Sequence, residues 1–160
     1  MLVFSIFYHQ YNHSRPNIKY YDNIDNFDNI FQDLKIRSKD PNNKNDVLLR
    51  AKEILSNQQQ DLNNKNINKD TYLHIGNICE LIFVLDNESV WSDCAAERYN
   101  EYCVADMNNS NCYITLARFL SLDNSKIEQA KILTRKAIEL SNNSKDIDSY
   151  HDFLQELNQR

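Results

Sequence analysis

Apolar residues recur along this chain at intervals of three and four, in segments separated by short polar breaks. That interval places one apolar stripe on one side of a helix. Residues 22–37 carry Phe27, Ile30, Phe31 and Leu34, and Pro41 ends the run. Asp46 is placed to cap a second helix through Val47, Leu48, Ala51, Ile54 and Leu55, which stops in the stretch 63–68. Asp70 is placed to cap a third, running to about Leu85. A break at Asp86 and Asn87 precedes a fourth over about 89–106, and a fifth spans about 111–122. Ser125 is placed to cap a sixth, ending near Leu140, and Asp146 a seventh, to about Asn158. Most breaks are two to six residues long, which is antiparallel hairpin geometry. The apolar start, residues 1–21, reads as a short segment packed on the first helices.

One spacing repeats within these helices. Tyr72-x2-Ile75-Gly76-x2-Cys79 is followed by Tyr113-x2-Leu116-Ala117-x2-Leu120 and then, 34 residues further, by Ile147-x2-Tyr150-His151-x2-Leu154. In the alternate helices Ala130, Thr134 and Ala137 lie 34 residues beyond Ala96, Asn100 and Cys103. Small residues at such positions let paired helices approach closely. This combination resembles the tetratricopeptide repeat family, most clearly over residues 110–154. The family's closing proline has no counterpart at Met107-Asn108 or Ser141-Asn142. Its large second-helix aromatic is missing at Asn100 and Thr134, unless Ala95, Tyr99 and Tyr102 form the true register.

The expected fold is therefore all-α: stacked antiparallel helix hairpins in a TPR-like solenoid of about seven helices. As one domain over 1–160 it divides into the packing segment 1–21, a degenerate hairpin at 22–62, repeats at 70–108 and 110–143, and a capping helix at 146–158. The resemblance implies a groove lined by the first helix of each repeat, holding a peptide or a helix of a partner protein. By position its lining includes Leu73, His74, Asn77 and Glu80, then Ile114, Thr115, Arg118 and Ser121. Members that clamp acidic tails carry lysine beside the asparagine matching Asn77; Leu73 and His74 stand there, which disfavours that specialisation.

Composition narrows the field. At 160 residues with 41% hydrophobic and 26% charged side chains, the chain can bury a globular core. One Gly and two Pro leave few turn residues for hairpins of strands, and one Gly leaves no glycine-rich cradle for phosphate. No apolar run reaches the roughly 18 residues of a membrane span, and the start lacks a basic region and a cleavage site. Cytoplasm is the expected location.

The formal net charge of −5 is concentrated in the middle. Between Asp70 and Asp106 stand Asp70, Glu80, Asp86, Glu88, Asp93, Glu97, Glu101 and Asp106 against Arg98 alone. Asp93, Glu97 and Glu101 share one helix face and repel one another, so helix stability does not explain them. With Trp91, Tyr99 and Tyr102 on the same helix, they suit a basic protein partner; a solvated outer face is the other reading. No basic patch exists to neutralise nucleic acid.

Candidate chemistry is thin. His9 and His13 share a helix face without a third ligand, and no nucleophile elbow or HExxH occurs. No metal, cofactor or catalytic residue is expected, and the chain does not read as an enzyme. Cys79 and Cys94 lie symmetrically about one break, Cys103 and Cys112 about the next. Each pair is either a staple across a hairpin or two free core thiols. Two functions fit: an adaptor gripping a peptide or helix, with His74, Asn77, Glu80 and Arg118 in its groove, or a small acidic inhibitor. The latter would be an immunity protein neutralising a cationic toxin or enzyme, and would present Trp91, Asp93, Glu97 and Glu101.

Overall fold

A computed structural model describes residues 27–63 and 68–160. The expected packing segment 1–21, with His9 and His13, lies outside them. The chain forms two compact units, 1–33 and 34–160. In the described part of the first, the rings of Phe27 and Phe31 stack one helical turn apart, with centroids at 5.9 Å.

Among the described residues seven α-helices follow one another: α1 Phe27–Arg37, α2 Lys44–Asn63, α3 Lys69–Asp86, α4 Ser89–Ala105, α5 Ser110–Leu120, α6 Ile127–Leu140 and α7 Ser144–Asn158. Short 3-10 turns, Pro41–Asn43 and Asn124–Lys126, lead into α2 and α6. No strand occurs among the described residues. Among the described residues the all-α expectation and the count of about seven helices hold.

At the four starts where a single Asp or Ser was assigned, a residue two to six positions earlier caps instead. Asp40, Asn68, Asn109, Asp123 and Asn143 each accept a hydrogen bond from the amide two residues on. They sit in extended backbone just before the turn begins, where a short side-chain oxygen reaches the second free amide. Asp46, Asp70 and Asp146, expected as caps, fall inside the first turn, where their charge favours the helix dipole instead. Ser125 lies within the second 3-10 turn, its amide and hydroxyl both donated to Asp123. The break at Asp86-Asn87 is sharp because Asn87 adopts left-handed backbone, φ 59°, and donates its amide to Phe83 O.

Each helix from α2 to α7 packs on its neighbour in the chain, most extensively within the α3–α4 and α5–α6 hairpins. Side chains also join alternate helices. Tyr72 and Leu73 of α3 and Tyr113 of α5 pack on a buried cluster of Tyr102, Cys103 and Cys112. Ile114 of α5, Ala137 of α6 and Tyr150 of α7 form the next cluster, with Tyr113 again at its edge. The Tyr150 hydroxyl donates to Asn111 Oδ1 at 2.9 Å, and Arg160 reaches the Ser121 carbonyl at 3.1 Å. The result is a stack of helices staggered in sequence order.

The small residue expected where helices touch is Gly76. A Cβ there would lie 2.6 Å and 2.7 Å from the ring of Tyr99. Tyr99 is fully enclosed, edge-on to Phe119 with centroids 5.6 Å apart. Its position selects between the two registers that the spacing left open for α4. Ala95, Tyr99, Tyr102 and Cys103 face inward, whereas Asn100 is exposed and Ala96 only half-buried. A core aromatic therefore does occupy the second helix of this hairpin, one residue earlier than the 34-residue offset from α6 implies.

Candidate functional site

The residues proposed from sequence separate into two groups. Those assigned to a groove are largely committed to the body of the protein. His74 is buried. Asn77 and Glu80 both accept from the Tyr99 hydroxyl, at 2.9 Å and 2.6 Å. Burial, and then the Glu80 carboxylate beside it, push the Tyr99 phenol far above its ordinary value, so it stays a donor. Ile114 is in the core, and Ser121 is buried with its hydroxyl donated to Arg118 O at 2.7 Å. Leu73 and Thr115 are half-buried. Arg118 alone of this set is exposed, its guanidinium 5.8 Å from the Phe153 ring centroid. The spacing that suggested a groove thus includes positions that α3 uses to hold α4.

The acidic group behaves differently. Asp93 and Glu97 are exposed on α4, and Glu101 is half-buried. Arg98 donates to Glu97 at 2.9 Å and to Glu101, leaving three carboxylates against one guanidinium. Val90 and Val104 lie in the same helical stripe, at i−3 from Asp93 and i+3 from Glu101, and are 56% and 66% exposed. The stripe Val90, Asp93, Glu97, Glu101, Val104 therefore has apolar ends and an acidic centre, and extends about 21 Å at 1.5 Å per residue. The valines were legible beforehand as apolar residues out of phase with the buried face.

The aromatic residues expected beside the acids do not accompany them outward. Tyr99 and Tyr102 point into the core. Trp91 is half-buried under Lys52, whose Nζ is 5.4 Å from the ring centroid. Its indole N–H is enclosed without an acceptor among the described residues.

Other acids of the middle segment are matched from outside it. Lys52 donates to Asp86 at 2.8 Å, and Lys69 to Asp106 at 2.6 Å. The Lys69 hydrogen bond holds the Asp106 carboxyl below its ordinary value. Neither pairing has a sequence signal, since Lys52 and Asp86 stand 34 residues apart. The acidity of the segment is accordingly narrower than its composition suggests, and centred on the outer face of α4.

An open cleft of about 390 Å³ lies among Phe83, Ser92, Phe119, Leu120 and the loop 122–126. The sequence offered no sign of it. Its walls come from three helix ends, and it carries no constellation of catalytic type. Among the described residues no three His, Cys, Asp or Glu side chains are grouped to hold a metal ion, and no helix is long and apolar enough to cross a membrane.

The two cysteine pairs also diverge. Cys79 and Cys94 are joined by a disulfide, with Cα atoms 6.0 Å apart. Cys103 and Cys112 are buried free thiols. The chain matches no protein-family model, no curated protein and no solved structure.

Proposed function

We propose that the protein is an interaction module that binds a basic segment of another protein along the outer face of α4. The observation that carries this reading is the stripe from Val90 to Val104. Its three carboxylates have only Arg98 among them, and its two ends are exposed valines. Like charges at this spacing cost the helix a few tenths of a kcal/mol per pair, so contact is a better account of them than stability. A partner helix or extended segment with Lys or Arg at its centre and apolar residues toward its ends would match. The acidic field would speed encounter, and the valines would contribute apolar contact once docked.

The architecture we favour remains TPR-like. The close approach of Gly76 to Tyr99 and the burial of Ala117 at the matching position support it. The family's groove is the weaker surface, because His74, Asn77 and Glu80 serve the hairpin. Should the basic partner be a toxin or an enzyme, the protein is its inhibitor, an immunity protein in effect. We assign it contact and no catalytic step. A persistent Cys79–Cys94 bond requires an oxidising compartment rather than a cytoplasmic one, and trapping the thiols in the native host with an alkylating reagent decides between them.

The test is capture of partners from a lysate of the native host by the immobilised chain. Wild type is compared with the triple variant Asp93→Asn, Glu97→Gln, Glu101→Gln and with Arg118→Ala. The reading expects a basic protein on wild type and on Arg118→Ala that is released by moderate salt and lost from the triple variant. A partner that ignores salt and the triple variant but is lost on Arg118→Ala would return the site to the groove.

A further inference from the structure

Cys103 lies in the last turn of α4 and Cys112 in the first turn of α5, facing each other across the short turn between them. Both are buried in one cluster with Tyr102. The Cys112 sulfur also lies 4.0 Å from the Asp106 carbonyl. One turn earlier in the chain, Cys79 and Cys94 stand on either side of Asp86-Asn87, 15 residues apart, and are already joined. The second turn therefore also carries a cysteine on each side, here as thiols.

We infer that Cys103 and Cys112 are a second disulfide site, closed by thiol–disulfide exchange with a small-molecule disulfide, which staples α4 to α5. The inference stands apart from the partner-binding face. Cys103 is 5% exposed and Cys112 fully enclosed, so Cys103 is the sulfur that an oxidant meets first. Its thiolate attacks one sulfur of the oxidant, forming a mixed disulfide and expelling one small thiolate. The Cys112 thiolate then attacks the Cys103 sulfur and expels the second. Two protein thiols are oxidised to one disulfide, and the small disulfide is reduced to two thiols that take up the two protons.

The closed turn resists this chemistry. The Cys112 side chain beside it, and then burial, hold the Cys103 thiol well above its ordinary value, so little of it is the reactive thiolate. Exchange waits on opening of the turn, and two contacts keep the turn shut. Lys69 pairs with Asp106, and Asn109 donates to the Tyr102 hydroxyl at 3.1 Å.

The test treats the full chain with oxidised glutathione over a range of pH and maps its peptides by mass without reduction. The expected product is a Cys103–Cys112 cross-linked peptide beside the Cys79–Cys94 one, with no glutathione retained. Its formation should quicken several-fold as pH rises and in Lys69→Met. Cys112→Ser should instead retain one glutathione on Cys103. Oxidation should raise the thermal midpoint of wild type by several degrees and leave that of Cys103→Ser unchanged. Glutathione retained on wild type, either cysteine paired with Cys79 or Cys94, or both thiols still free at high pH would each overturn the assignment.

Discussion

The hairpins α3–α4 and α5–α6 share an apolar register but are held by different means. Both begin with a half-buried tyrosine, Tyr72 or Tyr113, and both place a small buried residue, Gly76 or Ala117, on the first helix. In the second helices Ala95, Tyr99 and Tyr102 stand 35 residues before Ala130, Thr134 and Ala137, and all six are buried. The first hairpin then adds polar and covalent ties: the Tyr99 hydroxyl on Asn77 and Glu80, and the Cys79–Cys94 bond. The second adds neither. Thr134, in the place of Tyr99, turns its hydroxyl back to Ala130 O at 2.8 Å within its own helix. A large side chain opposite glycine concentrates contact at one point, and deleting it leaves a hole. Small residues spread contact along the interface, so no single one matters as much.

Cutting Tyr99 is the harshest test of that contrast. Tyr99→Ala should cost roughly 3–5 kcal/mol of unfolding free energy, through a cavity beside Gly76 and two orphaned acceptors. Thr134→Ala at the equivalent place should cost about 1 kcal/mol. Urea denaturation of the two variants decides it, and equal losses would break the comparison.

Opening the covalent tie comes next. Cys79 and Cys94 are separated by 15 residues in sequence, and a closed loop of that size contributes about 3 kcal/mol in the chain-entropy picture. Cys94→Ser should show that loss in denaturant without added thiol, and reductant should bring wild type to the same value.

A smaller effect follows from filling the gap. Gly76→Ala would place its methyl within 2.7 Å of two carbons of the Tyr99 ring, and overpacking of this kind costs about 1–3 kcal/mol. The double variant Gly76→Ala, Tyr99→Ala should lose less than the sum of the two single changes, because the clash disappears with the ring.

The smallest effect concerns pH and should not distinguish the hairpins. Hydrogen bonds from Lys69 and Lys131 hold Asp106 and Glu128 below the ordinary carboxyl values of 3.8 and 4.5. A lowered folded pKa gives stability that is present above those ordinary values and lost as pH falls through the folded ones. An acid titration followed by circular dichroism should therefore show slight weakening below about pH 4. Lys69→Met should remove the part that belongs to the first hairpin.

Much of the fold was readable in the chain because helices report themselves locally. The apolar interval in α5, α6 and α7 is set by side chains only three or four residues apart, and the breaks at Asn87, Asn109 and Asn143 carry their own turn chemistry. Caps were misplaced by up to six residues, since several Asn and Asp side chains compete at each start and the backbone just before the turn selects one. The candidate site was less readable. Asp93, Glu97 and Glu101 share a face by spacing alone, yet nothing local announced that Asn77 and Glu80 would accept from Tyr99, about twenty residues away.

By itself the sequence determined what depends on near neighbours: the seven helices of the described residues, where they stop, which stripe of each is apolar, and where acid accumulates. Pairing across distance was decided only by the tertiary structure. It set the register of Tyr99 against Gly76, drew Lys52 to Asp86, closed Cys79 on Cys94, and left Cys103 beside Cys112 as thiols. The physical reason is that a helix stripe states that a face is buried. Which residue meets which depends on the rotation and offset of two packed helices, and those are fixed by the whole stack at once.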